Sequence, residues 1–365
     1  MPNYFKGFFL IYLTIVTTYS SFAQLSKGNF NITSTIGYGF IIRHSNRMGQ
    51  IASTHFNLYE ISITKITNGN KEWHAPYHYP EFGIDVGFFP FKNPILGNGA
   101  FAIPFIEKKL AKSVKSSLNF KIGYGLSYVS NPYNPENNFQ NVAISTHVGY
   151  ALRGEISYSY KISSYLKIRT VVMLTHFSNA SFTQPNAGLN IPIIGVGVSY
   201  QPNAKKFSII PDTFSHAYEK KLKFNIIAAA TVKEVGLPGG KKYWGFNMIS
   251  YLNRRINRKS ALNIGLDLFI NSAQKHFIET DTTLGGRKPD FKQAAITIGH
   301  ELFINKLSLV TQFGSYFYSP YPNLKPFYQR YFLKYQINKH FFAGVSLKCH
   351  FGTAEYVEVV TGIKL

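Results

Sequence analysis

A histidine and a serine two residues apart, followed by an asparagine on the next predicted strand, have the residue types and spacing for catalytic chemistry. They are His176, Ser178 and Asn190. Side chains at positions i and i+2 of a strand share a face, so His176 could accept the hydroxyl proton of Ser178 while the serine oxygen attacks a carbonyl carbon. Nucleophilic hydrolysis of this kind also needs a third group that orients the imidazole, a role open to Asn190.

The strands that must position these residues alternate between two faces. Residues 165–178 have one apolar and one basic parity, with Leu166, Ile168, Val172 and Leu174 against Lys167 and Arg169. His176 and Ser178 continue the apolar face, and Asn190 lies on the apolar face of the returning strand 189–200. Polar side chains on a lipid-facing surface are costly unless they are hydrogen-bonded. The non-catalytic alternative is that these residues lie at the headgroup level of a membrane, where polar side chains are tolerated. For an isolated His or Ser this explanation would be sufficient.

Composition excludes several classes of protein. The chain has 365 residues, with 39 Lys and Arg against 17 Asp and Glu, and a formal net charge of +22. Aromatic residues make up 16% of the chain and charged residues only 15%, unlike a disordered basic tail. Cys349 is the single cysteine, so the chain has no internal disulfide framework. After the first 23 residues no apolar run is long enough for a membrane-spanning helix.

Residues 1–23 have the pattern of a secretory signal peptide. Lys6 provides the positive charge, a short apolar run follows, and Ser21, Phe22 and Ala23 form a small-x-small cleavage site. A single N-terminal membrane anchor is the alternative, but the apolar run is short and no basic stop follows it. Export without a membrane helix leaves a soluble secreted protein or a barrel of the bacterial outer membrane.

Period-2 alternation recurs through most of the chain and predicts an all-β fold. We expect a transmembrane antiparallel β-barrel of about 16 strands, within a range of 12–16. A soluble β-sandwich would also alternate, but long strands, alternating short and long connections, and Tyr and Phe near strand ends favour the barrel. The predicted strands are 33–43, 54–66, 80–91, 98–108, 117–129, 142–162, 165–178, 189–200, 221–233, 241–253, 260–271, 291–304, 307–317, 327–337, 340–351 and 354–365.

These strands predict a single barrel over residues 24–365, with the His-x-Ser-Asn motif in its 24–200 half and additional strands at 221–365. An even strand number puts the tight turns and both termini on the periplasmic side. Residues 67–79 then form a long periplasmic connection, unless they hold a further strand. The segment 201–220 is also long for a periplasmic turn, so two eight-stranded units are the alternative.

The segment HFSNASFTQPNAGLN at 176–190 resembles the signature of the PagL-type lipid A 3-O-deacylases, which are outer-membrane barrels with a His-x-Ser-Asn…Pro-Asn-x-Gly pattern. The resemblance implies a serine esterase that removes the 3-O-linked acyl chain of lipid A. Ser178 would be its nucleophile and His176 its general base. The family barrel has eight strands and about half the length of this chain, so residues 201–365 are not explained by it.

The resemblance also assigns supporting roles. Asn186, with backbone N–H groups near Asn179 to Ser181, would supply the oxyanion donors. The family has a Glu where this chain has Asn190. An Asn can accept a hydrogen bond from the histidine Nδ1–H and orient the ring, but it contributes no negative charge.

No cofactor or metal site is predicted. His55, His74 and His78 lack thiol or carboxylate partners at zinc-ligand spacing, and Glu279 with Asp281 forms only a weak calcium pattern. Export argues against nucleic acid as the partner of the basic residues, most of which fall on inner strand faces and in loops.

Two functions are therefore open. The first is an outer-membrane ester hydrolase whose substrate is the lipid A of lipopolysaccharide and whose surroundings are outer-membrane lipid. The alternative is a non-catalytic pore or structural barrel that keeps a relic motif, which the Asn190 departure and the additional strands would suit. The sequence does not indicate an oligomeric state.

Overall fold

The computed structural model describes residues 29–365 except 203, 205–207, 215–216 and 322–324, so the predicted signal peptide at 1–23 lies outside the described residues. The strands are β1 (Phe30–Phe40), β2 (His55–Ile66), β3 (Glu81–Asn93), β4 (Gly97–Lys112), β5 (Ser116–Val129), β6 (Val148–Lys161), β7 (Leu166–Ser178), β8 (Leu189–Tyr200), β9 (Lys223–Glu234), β10 (Lys242–Arg255), β11 (Ser260–Asn271), β12 (Gln293–Ile304), β13 (Leu307–Tyr318), β14 (Phe327–Gln336), β15 (Phe341–His350) and β16 (Thr353–Lys364). One helix, α1 (Ser272–Thr280), and 3-10 turns at Asn46–Met48 and Thr282–Leu284 lie in connections. In this described part of the chain, every helix is too short or too polar to cross a membrane.

The sixteen described strands close into two barrels. In the first barrel β1 pairs with β8, with Ile36 opposite Val196. In the second barrel β9 pairs with β16, with Ala229 opposite Val360. The prediction of a single barrel over residues 24–365 is therefore wrong, and the chain forms the alternative arrangement of two eight-stranded barrels. Strand number, parity and turn length are the same in both arrangements. They therefore do not show which strand edges pair.

Most strand ends lie within two residues of their predicted positions, and the start of β6 is the largest exception. Residues 142–147 precede β6 instead of extending it. The Oδ1 atom of Asn141 accepts hydrogen bonds from the N–H groups of Ala143 (3.2 Å) and Ile144 (3.1 Å), which bends the chain. The Ala143 carbonyl then accepts from the N–H of Gly188 at 3.0 Å, so this segment supports the loop after β7. Residues 67–79 hold no strand and form the long connection that the sequence predicts.

The outer faces of both barrels are apolar, as the alternation requires. Val172 and Ile194 of the first barrel are 61% and 66% exposed, and Ile264 and Val359 of the second are 57% and 70% exposed. Large apolar side chains are exposed along the outer faces of both barrels, which would be unfavourable in water and is typical of a surface that faces lipid.

The interior of the first barrel is filled with side chains. The end that carries the connections 41–54, 130–147 and 179–188, called the site end below, holds packed aromatic rings: Phe56, Phe89, Phe91, Phe101 and Phe177. Next to them the Arg153 guanidinium lies 4.3 Å from the centre of the Phe101 ring. Eight strands leave an interior just wide enough for side chains, so this barrel offers no support for the pore alternative.

Buried charges in the first barrel are paired. Arg153 forms an ion pair with Glu60 and lies 3.5 Å from Asp85, while Lys121 lies 3.1 Å from Asp85 and 3.3 Å from Glu155. The three carboxylates come close to one another. Arg153 and Lys121 lie between them, and Arg169 lies 2.9 Å from Glu155, so each of the three carboxylates has a side-chain cation as its partner.

The second barrel is filled in the same way. Arg330 pairs with Asp267 and lies 3.3 Å from Glu358, and Lys334 lies 3.3 Å from Glu301. The apolar part of its interior includes Ile227, Ile249, Tyr251, Val310, Phe332 and Phe342.

Contacts join the two barrels at both ends. At the end with the tight turns, the Tyr77 hydroxyl donates to the Phe303 carbonyl at 2.7 Å. At the site end, the Lys242 ammonium lies 4.0 Å from the centre of the Phe182 ring. Phe182 belongs to the loop after β7, so the second barrel touches the loop that carries the motif.

Candidate active site

The hairpin of β7 and β8 brings the predicted catalytic residues to the site end. His176 lies directly opposite Asn190 in the antiparallel register, and Ser178 ends β7. All three side chains are half-buried on the outward face of the barrel. On β7, His176 and Ser178 continue the row of exposed side chains that contains Val172 and Leu174. The parity predicted for His176, Ser178 and Asn190 is therefore the parity observed.

Inward-facing neighbours hold β7 in place. Phe177 is fully buried, with its ring centre 5.8 Å from that of Phe89. Thr175, also buried, accepts a hydrogen bond from Nε of Arg153 at 2.9 Å. Because successive strand side chains point to opposite faces, these anchors fix the direction in which His176 and Ser178 project.

His176 and Asn190 form the first half of the site. Nδ1 of the imidazole lies 2.7 Å from Oδ1 of the Asn190 side chain. An amide oxygen only accepts, so Nδ1 carries the proton and Nε2 keeps its lone pair. This is the tautomer in which a histidine can remove a proton from a nucleophile.

Ser178 and Asn186 form the second half. The Ser178 Oγ atom accepts hydrogen bonds from Nδ2 of Asn186 at 2.9 Å and from the backbone N–H of Ala180 at 3.0 Å. Ala180 and Ser181 have positive φ angles of 54° and 63°, which turn the chain so that the Ala180 N–H points back at the serine. No hydrogen bond joins His176 to Ser178 among the side chains that the structure describes.

Asn179 stabilises the loop and orients Asn186. Its backbone N–H donates to Oδ1 of Asn186 at 3.0 Å, which directs the amide NH₂ of Asn186 at the serine. Its own side chain donates to Ser145 Oγ and to the Thr183 carbonyl, both at 2.9 Å. The N–H of Asn179, predicted with those of its neighbours as an oxyanion donor, is thus occupied, whereas that of Ala180 faces the serine oxygen.

The sequence prediction assigns no role to two residues of the site. His44, which follows β1, places Nδ1 at 3.4 Å from Nδ2 of Asn190 and Nε2 at 3.0 Å from the Ala187 carbonyl. Gly188 has a φ of +79°, and a Cβ atom there would lie 2.7 Å from Cε1 of His176. The Gly is visible in the motif, but the approach of His44 follows from the pairing of β1 with β8, which a single sixteen-stranded barrel would not contain.

Two family models match this chain. Lipid A 3-O-deacylase (PagL) matches residues 53–200, and acyloxyacyl hydrolase, C-terminal domain, matches residues 222–365. Together they span most of the chain, and the boundary between them falls in the connection between the two barrels. The chain belongs to the PagL family. Membership of the PagL family implies an ester hydrolase of the outer membrane with lipid A as its substrate.

Solved structures add little to the PagL-family assignment. The Acinetobacter baumannii outer membrane protein Omp33 is similar over 93% of this chain and 97% of its own, with 7% identity and a TM-score of 0.18. A TodX monoaromatic hydrocarbon channel mutant is 7% identical, covering 92% of this chain and 88% of its own, also with a TM-score of 0.18. TM-scores this low carry no argument about fold or function. No curated protein matches the chain.

Proposed function

We propose that the protein removes the 3-O-linked acyl chain of lipid A by serine–histidine nucleophilic catalysis. The observation that carries this proposal is the convergence of two hydrogen-bond donors on the Ser178 oxygen, beside a histidine whose proton is held on Nδ1. These are the groups that ester hydrolysis requires: a nucleophile, a base in the correct tautomer and donors for the developing oxyanion.

The first half of the reaction forms an acyl-enzyme. Ser178 Oγ attacks the carbonyl carbon of the ester, and Nε2 of His176 takes the hydroxyl proton. The imidazolium stays bonded through its Nδ1–H to Oδ1 of Asn190. The negative charge on the former carbonyl oxygen is stabilised by the Asn186 amide and the Ala180 N–H. Collapse of this intermediate breaks the bond to the sugar oxygen, which leaves as an alcohol with the proton from His176.

The second half releases the fatty acid. His176 takes a proton from water, whose oxygen attacks the carbonyl carbon of the acyl-enzyme. The same two donors stabilise the second oxyanion. The Ser178 oxygen then leaves with the proton from His176, which restores the free enzyme and yields the carboxylic acid.

The position of the site suits a substrate that lies in a membrane. His176 and Ser178 lie at the end of an outward-facing apolar strip that contains Leu174, Val172 and Ile194. An acyl chain whose ester is at the headgroup level would extend along this strip. A water-soluble ester would gain nothing from an active site on the outer wall of a barrel.

The test is mass spectrometry of lipid A from cells with and without the protein. We expect loss of one 3-hydroxyacyl chain with the wild type and an unchanged lipid A with Ser178→Ala. Ser116→Ala removes the hydroxyl of another half-buried serine, at the opposite end of the same barrel, and should behave as wild type. Unchanged lipid A in the presence of well-folded wild type would rule out the proposed function, and residual activity in Ser178→Ala would rule out its mechanism.

A further inference from the structure

We infer that His44 is a positioning residue of this active site, because it fixes the orientation of the Asn190 amide and thereby the tautomer of His176. The catalytic consequence of this inference rests on the proposed function. The hydrogen bonding from which it is argued does not. It concerns Asn190, the neutral amide that is hydrogen-bonded to His176.

His44 reaches the site through barrel closure. Beyond the last paired residues of β1, the N–H of Ile42 donates to the backbone carbonyl of Asn190 at 2.8 Å, which brings the next residues of the first strand alongside β8. The His44 ring then lies between two groups of the motif loop and β8: the Ala187 carbonyl, 3.0 Å from Nε2, and the Asn190 amide nitrogen, 3.4 Å from Nδ1.

The direction of each hydrogen bond follows from the chemistry of the partners. The Ala187 carbonyl oxygen has no proton, so Nε2 of His44 is the donor. A neutral imidazole that is protonated on Nε2 has only a lone pair on Nδ1, and only the amide NH₂ of Asn190 can donate to it. The Ile42 carbonyl, 3.2 Å from Nδ1, is another acceptor and forms no hydrogen bond with this tautomer.

These hydrogen bonds fix the orientation of the Asn190 amide. With its NH₂ directed at His44, Asn190 presents Oδ1 to His176, which must then donate from Nδ1 and keep Nε2 free to act as a base. If the amide were flipped, its NH₂ would face Nδ1 of His176 and force the proton onto Nε2. The imidazole could then no longer accept the Ser178 proton. The wrong tautomer is the reason that an Asp-to-Asn change costs about 10⁴ in turnover in the serine-protease triad.

A carboxylate at position 190 would not need this help. Its two oxygens are equivalent acceptors, so either of them accepts from His176 whatever His44 does. Dependence on His44 should therefore be specific to the amide. This difference separates a role through Asn190 from a general role in holding the loop at Ala187.

The test is a double-mutant cycle of His44→Ala and the isosteric Asn190→Asp. In the wild-type background we expect His44→Ala to lower kcat at least tenfold with little change in KM. In the Asn190→Asp background the same substitution should change kcat less than about threefold. Equal losses in both backgrounds would mean that His44 only supports the loop, which would overturn the inference. No loss in the wild-type background would overturn it as well.

A second measurement does not depend on activity. The ¹⁵N imidazole spectrum of the histidine-labelled protein in micelles reports which ring nitrogen of His176 carries the proton, once the signals are assigned by comparison with His176→Gln. We expect the Nδ1–H tautomer in the wild type and a mixture of tautomers in His44→Ala. An unchanged Nδ1–H signal in His44→Ala would overturn the inference even if lipid A proved not to be the substrate. Conversely, a shifted tautomer without deacylation would show that the proposed function alone had failed.

Discussion

Oδ1 of Asn190 lies 2.7 Å from Nδ1 of His176, across the pairing of β7 with β8. The third member of the proposed catalytic group is therefore a neutral amide with the geometry of a carboxylate. With its amide held by His44, it orients the ring in the way that a Glu or Asp would, but it does not stabilise the imidazolium by charge.

Asn190→Asp should therefore increase kcat. The added negative charge favours the imidazolium that forms when His176 takes the serine proton, and we expect a gain of about tenfold, equivalent to ~1.4 kcal/mol of transition-state stabilisation. Steady-state kinetics on purified lipid A would measure it. A gain near 10⁴ would contradict the assigned tautomer, because it would mean that the wild type holds the proton on the wrong nitrogen.

Asn186→Asp should abolish most of the activity without disturbing the loop. An aspartate still accepts the hydrogen bond from the Asn179 N–H, but it replaces the donor that faces Ser178 with a negatively charged acceptor. Loss of one oxyanion donor costs about 10²–10³ in kcat, and the added charge should increase that loss. Thermal unfolding should stay close to that of the wild type. Activity within threefold of the wild type would exclude Asn186 as an oxyanion donor.

Gly188→Ala should displace His176. The new Cβ would lie 2.7 Å from Cε1 of the imidazole, and Gly188 also has a φ of +79°, which costs an L-residue about 1–2 kcal/mol. Gly239→Ala is the matched control, since Gly239 has a φ of +82° and a Cβ atom there would meet nothing within 4 Å among the described residues. Both variants carry the cost of a positive φ, whereas only Gly188→Ala should lose tenfold or more in kcat. Equal activity in the two would show that the ring tolerates the displacement.

Arg330→Met should destabilise the second barrel and leave the first intact. Removal of the guanidinium leaves the buried carboxylates of Asp267 and Glu358 uncompensated, which costs about 3–5 kcal/mol. Trp244 on β10 reports on this barrel, and Trp73→Phe removes the only other tryptophan of the chain. We expect the Trp244 transition at lower urea, with deacylation retained through that transition. A parallel loss of activity would mean that the barrels unfold as one unit.

The connection 67–80 should make stability sensitive to acid. Burial, with Lys71 and Lys65 nearby, lowers the pKa of His74 to about 4. An unfolded histidine titrates near 6.5, so between pH 6.5 and 4 the unfolded chain takes up a proton that the folded chain does not, and stability falls as the pH falls through this interval. His74→Asn keeps an acceptor for the Gly69 N–H and does not titrate. Its melting temperature should change less than that of the wild type between pH 7 and pH 4.5, and identical slopes would exclude His74 as a contributor.

The sequence predicts the strands well because the alternation is a local property. Strand β8 has its predicted bounds, and so does β11, since each has a strict apolar parity between clear turn signals. The outward placement of His176, Ser178 and Asn190 follows from the same parity. Residues 142–147 escape prediction because the Asn141 side chain bends the backbone there, and alternation does not register a bend of this kind.

The closure of the strands is a non-local property and was not predictable in this way. One barrel of sixteen strands and two of eight satisfy the same pattern, and only the edge pairing of β1 with β8 distinguishes them. The role inferred for His44 depends on that pairing. The orientation of Asn186 by the Asn179 N–H also depends on the folded loop, because spacing alone does not show which amide group faces the serine.

The filled interior of the first barrel has a consequence for kinetics. Packed rings and paired charges occupy the space along its axis, so lipid A must reach Ser178 by diffusion in the plane of the membrane. Encounter is then two-dimensional, and its rate is set by the number of substrate molecules per unit area rather than per unit volume. Dilution of lipid A with inert phospholipid in the same vesicles should slow hydrolysis even when the bulk concentration of lipid A is held constant.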